Sequence, residues 1–176
     1  IVTEADGDRV LGLAGRPALD LVLDVARTLD GDDRERFEAG PQLGVVVDER
    51  REQFATGDFV VRGLAGVDPL RRALHVGREV AVGTTVQLHV RDPGAADDHL
   101  RHGLTAAAPG PDSGALVFTC AARGFGFFGE PDRDAEAVVD HVGPAVAGLA
   151  CAAEVAPAGG RSHVLAQTAT VVVFGE

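Results

Sequence analysis

The sequence predicts an α+β fold, a mainly antiparallel or mixed β-sheet arrangement of about seven to eight strands packed with three helices. Strand-like runs follow one another without intervening helices, which argues against a doubly wound parallel sheet. Three segments carry apolar residues at helical spacing, each opened by a helix-start signal. Several other runs are apolar throughout or alternate with a period of two.

Along the chain, "DRVLGLAG" reads as a short strand into a turn. "RPALDLVLDVARTL" reads as a helix with Pro17 at its first position and Leu19, Val22, Leu23, Ala26 and Leu29 on one face. "DGDDRERFEAGP" reads as a charged, solvated loop. "QLGVVVDE" and "GDFVVRGLAGVD" read as strands, stopped at Asp68-Pro69. "LRRALHVGREVAVGTTVQLHVRD" holds two strands about Gly83. In the second, Val86, Leu88 and Val90 face one way and Gln87, His89 and Arg91 the other.

Asp92-Pro93 opens a second helix with Ala96, Leu100, Gly103, Leu104 and Ala107 inward. "GALVFTC" reads as a buried strand. "DRDAEAVVDHVG" reads as a third helix, with Ala135, Val138, Val139 and Val142 inward and Asp132 and Asp134 at its positive end. "PAVAGLAC" is another buried strand, "PAGGR" a loop, and "HVLAQTATVVVF" a long closing strand.

The chain has 176 residues and a formal net charge of −11. That length suits one domain, 1–176, or two small halves at most. The negative charge argues against a sequence-independent grip on nucleic acid and against docking to anionic membrane. No apolar run approaches a transmembrane span, and no signal peptide is visible. A cytoplasmic protein with reduced thiols is expected. The chain opens on Ile1, as though in mid-protein, so a fragment of a longer polypeptide is expected.

There is no Lys, Asn, Met, Trp or Tyr. Without Lys the chain carries no Schiff-base lysine and no P-loop. Its two serines, Ser113 and Ser162, lie outside any nucleophile elbow. Cys120 and Cys151 match no zinc spacing and read as buried free thiols at strand ends.

Gly124-x-Gly126-x-x-Gly129 has the spacing of a dinucleotide loop. Phe127-Phe128, Pro131 and the acids Glu130, Asp132 and Asp134 argue against a phosphate there. Cys120 near Arg123 could be an activated thiol, but the spacing brings none of the possible bases His89, His141 and His163 to it. Asp98, His99 and His102 share a helix and read as a solvated face rather than a metal site.

Arg123, Arg161 and Glu154 are the stronger candidates, because each sits in or beside a loop at a strand terminus. An Arg there could fork onto a carboxylate, and Glu154 could answer an ammonium. Ion pairs tying the loops together are the competing reading.

The pieces "PALD", "DFVVRGLAGVDP", "VGTTVQLHVRDPGAADDHL", "GALVFTCAARGFGFFGEPDRDA", "VAGLACAAEVAP" and "TATVVVF" together resemble the C-terminal domain of the FIST family, from about Pro17 to the end. Ala153 stands where the family usually has Gly before the glutamate. Leu165-Ala166-Gln167-Thr168 replaces a Leu-His-Gly-x-Thr-like run.

The resemblance implies a non-enzymatic sensory domain of bacterial signal transduction that takes a small ligand such as an amino acid or similar zwitterion, without cofactor or metal. It implies pairing with an N-terminal FIST domain of the same chain and a signalling partner. The expected ligand-binding residues are Cys120, Arg123, Gly124, Cys151, Glu154 and Arg161, with Arg91 and Thr168 as secondary candidates. The alternatives are a protein-interaction module, as in F-box relatives, and a cysteine-dependent enzyme.

Overall fold

The computed structural model describes residues 1–55 and 57–175. The chain divides into two compact units, Ile1–Arg91 and Asp92–Glu176.

In the first unit β1 (Val2–Asp6) and β2 (Arg9–Leu13) form an antiparallel hairpin. Gly7 at φ +59 supplies the left-handed backbone its turn needs. β3 (Arg16–Pro17) folds back on β2 and leads into α1 (Ala18–Thr28). α2 (Gly31–Glu38) follows, then β4 (Gln42–Val46), β5 (Phe59–Gly63), β6 (Gly66–Asp68), β7 (Ala73–His75) and β8 (Val86–His89). One sheet has the order β1-β2-β7-β6 with β3 against β2, and the other has the order β5-β4-β8, all antiparallel. Val2, Val10, Leu43 and Leu74 are fully buried and centre the core.

On α1, Ala18 and Val22 are buried, and Leu19, Ala26 and Leu29 pack against the core, but Leu23 points outward. Pro17 stands just before the helix as its cap residue. The charged segment after α1 is a helix rather than the expected loop. Asp32 and Asp33 lie in the first turn of α2 and Arg36 in its last, matching the helix dipole. Arg34 pairs with Glu38 one turn on, and only Phe37 is buried. The alternation of β8 holds: Val86 and Leu88 face the core. His89 rests where Gly44 lacks a side chain, edge-on to Phe59 at 5.2 Å.

The second unit runs α3 (Pro93–Ala107), β9 (Gly114–Cys120), a 3-10 turn (Ala121–Arg123), α4 (Phe125–Phe128), α5 (Arg133–Val142), β10 (Val146–Cys151), β11 (Glu154–Ala158), β12 (Arg161–Leu165) and β13 (Ala169–Phe174). Asp92 caps α3 by accepting from the Ala95 amide at 2.7 Å. β10 pairs parallel to β9 after the α5 crossover, β13 pairs antiparallel on the other side of β9, and β11–β12 is a separate hairpin. Ala115, Val117, Val146, Val171 and Val173 pack against Leu100 and Leu104 of α3 and Ala137, Val138 and Val142 of α5.

The fold is α+β with mixed sheets, as expected, but the described residues hold thirteen strands and five α-helices rather than about seven to eight and three. Short strands of two or three residues account for part of the difference. The closing segment is also two strands rather than one, broken where Gln167 takes φ +63. On α3, Gly103 and Ala107 are exposed and Asp97 is buried in their stead. On α5 the inward set is Ala137, Val138 and Val142, while Val139 is exposed. No helix among the described residues is long and apolar enough to cross a membrane.

Candidate functional site

Parallel pairing brings the carboxyl ends of β9 and β10 side by side, with Cys120 and Cys151 as register partners. The chain before β13 closes the third side, where the Cys120 amide donates to the Thr168 carbonyl at 2.9 Å. β11 begins at Glu154, three residues past Cys151. The loops after the two parallel strands therefore meet at one end of the sheet, the end where open α/β sheets place ligands.

Glu154 is only 4% exposed. Its carboxylate accepts the Thr168 hydroxyl at 2.6 Å and the Cys151 thiol at 3.6 Å. Cys151 also reaches the Thr119 carbonyl at 3.4 Å. A thiol has one proton, so it serves one of these acceptors at a time. Burial, and then the neighbouring Glu154, push the Cys151 thiol above its ordinary pKa, so it stays protonated. Cys120 is buried and its thiol points to the Ala152 carbonyl at 3.7 Å. No cation forms an ion pair with Glu154 among the described residues, unlike the other buried carboxylates Asp97 and Asp134.

Arg123 is held differently. Its guanidinium forks onto Asp134, Nε to Oδ2 at 2.8 Å and NH2 to Oδ1 at 2.7 Å, and both residues are buried. NH2 also reaches the Ala96 carbonyl at 3.4 Å, and the group lies 5.2 Å from the centre of the Phe128 ring. The Thr119 hydroxyl donates to the same Asp134 carboxylate. The arginine thus ties the 3-10 turn to α3 and α5.

Gly124 starts α4 with an extended φ of −80°, and Gly129 ends it at φ +76. Gly124 and Gly129 therefore serve the ends of a four-residue helix, and Gly126 lies within it. Phe127 and Phe128 are half-buried and meet at a tilt of 57° with ring centres 4.8 Å apart, while Phe125 is exposed.

The remaining candidates lie elsewhere. Arg161 is exposed at the hairpin turn opposite Ala158, four register steps from the Glu154–Leu165 pair. That is roughly 13 Å of strand. Arg91 ends the first unit, half-buried. Asp98, His99 and His102 are exposed on α3.

Three contributors were missed in the sequence: Asp134, Thr119 and Phe128. Asp134 reads as a helix-dipole charge. Its position four residues before the buried Val138, on the inward face of α5, was the available signal.

A model of the FIST C domain family matches residues 18–157. The uncharacterized protein Rv0628c of Mycobacterium tuberculosis is 41% identical over 178 residues, covering 99% of this chain and 46% of that protein. The uncharacterized protein Mb0898c of Mycobacterium bovis is 40% identical over the same length and coverage. The chain spans about half the length of the curated relatives it matches. No solved structure matches it.

Proposed function

The chain belongs to the FIST C domain family, a family of sensory domains, and from that we propose that it binds a small zwitterion such as an amino acid and catalyses no reaction. The observation that carries this reading is Glu154, a buried carboxylate without a cationic partner among the described residues, at the meeting point of the β9 and β10 loops. A charge so placed is costly unless it is paired. A ligand ammonium would pair with it through charge-assisted hydrogen bonds, with the Thr168 hydroxyl fixing the other carboxylate oxygen. Cys120 and Cys151 would form the polarisable wall of the site and Gly124 its rim. The ligand's own carboxylate calls for a second cation, which Arg123 does not supply, since Asp134 already satisfies it.

We place the protein in the cytoplasm, reporting to a signalling partner. The test is a thermal-shift screen of amino acids and amines against the full-length polypeptide. A true ligand at a hundred times its Kd stabilises the fold by about 2.7 kcal/mol. No shift with any amine-bearing compound overturns the reading.

A further inference from the structure

The sheet β10-β9-β13 has two faces, and only one is packed on helices. Alternation places Ala115, Val117 and Val171 on the helix side. On the other side the register sets Leu116 between Ala147 and Val172, and Phe118 between Leu149 and Thr170. Leu149 is 56% exposed, Phe174 52% and Val172 42%. None of the three strands carries a charged residue. Strands that read as apolar on both faces belong to sheets covered on both faces.

The sheet's rim makes the same demand. β10 has a strand neighbour on one side only, and its sequence, "VAGLAC", holds no Pro, no charge and no bulge. Natural edge strands are guarded by such features, and here Gly148, Leu149 and Ala150 are exposed without them. Face and edge are thus independent signs of one absent neighbour.

Size narrows what the neighbour is. Three strands of about six residues present on the order of 300 Å². Separate partners that associate stably bury about 800 Å² each. A patch this small is held well by a covalently linked neighbour, whose effective concentration reaches the millimolar range. The relatives Rv0628c and Mb0898c supply the material, since 46% of each is covered by this chain and the rest lies outside the match. We infer that the bare face and β10 edge of this sheet seat a further segment of the same polypeptide, one lying outside residues 1–176.

The experiment uses the full-length polypeptide. Leu149→Cys and Val172→Cys variants are labelled with a maleimide, with Asp32→Cys on exposed α2 as reference, and labelling is resolved by peptide mass spectrometry. Photo-leucine is incorporated in parallel and cross-links from Leu116 and Leu149 are mapped. Labelling at least tenfold slower than at the reference, with cross-links to the same chain beyond residues 1–176, is the expected result. Labelling as fast as the reference overturns the inference. So do cross-links that run to residues 1–91 or between two copies.

Discussion

Thr168 and Glu154, 14 residues apart, share a hydrogen bond of 2.6 Å in which the hydroxyl donates to a buried carboxylate that forms no ion pair among the described residues. Glu154→Gln keeps an acceptor for Thr168 and removes the uncompensated charge. The variant is expected to melt no lower than the parent, and to lose any thermal shift that an amine-bearing compound gives the parent. Retention of that shift would place the ligand elsewhere. Thr168→Val leaves the carboxylate short of a donor and is expected to cost about 1–3 kcal/mol in urea denaturation.

Arg123 and Asp134 should behave as a structural pair. Arg123→Ala or Asp134→Ala leaves one buried charge alone, and each is expected to cost about 3–5 kcal/mol. The double variant should cost much less than the sum, because neither charge is then stranded. Additive losses in a double-mutant cycle would show that the two side chains act separately.

His89 gives a pH dependence. Its Nε2 is buried without a hydrogen-bond partner among the described residues, and burial holds its pKa below the ordinary value of 6.5. The unfolded chain therefore binds the proton first, so stability is full above about pH 6.5 and falls as the pH drops below it. His89→Leu should flatten that limb of the stability curve. Gly44→Ala puts a methyl against the same imidazole and is expected to cost about 1–3 kcal/mol.

Asp97 adds a limb at lower pH. Hydrogen bonds from Arg133 first, and from Arg101, hold its carboxyl below the ordinary 3.8. Its contribution is present above that value and disappears as the pH falls through the depressed one. Asp97→Asn should remove this acid-side loss, read as a smaller drop in melting temperature between pH 5 and pH 3.

Cys151, kept protonated, should be a poor nucleophile. Iodoacetamide at pH 7.5 is expected to alkylate it more slowly than a free model thiol. Faster alkylation would revive the cysteine-enzyme alternative.

What the sequence revealed follows from where the signals were local. Asp92-Pro93 announced α3, and the apolar run "GALVFTC" announced β9, because caps and runs are written in adjacent residues. α2 was hidden because its stability comes from ion pairs and dipole matching, with one buried side chain in eight residues. The candidate site was legible in part, as a cluster of side chains. Cys120, Cys151, Glu154 and Thr168 do come together, and strand ends with Gly-rich loops were the signal. Asp134 was not found because its partner, Arg123, is 11 residues away across α4, where no periodicity links them. Arg161 is sequence-close to Glu154, but the hairpin between them carries it to the far turn.

The parallel pairing of β9 and β10 has a consequence for the cell. No hairpin can join these strands, so the place where Cys120 meets Cys151 exists only once the intervening helix has docked. A compound that binds there recognises the finished fold alone, and draws newly made chains toward it. Scarcity of such a compound would leave more chains open to proteolysis, so its level would be recorded in how much of the protein survives as well as in how much is occupied.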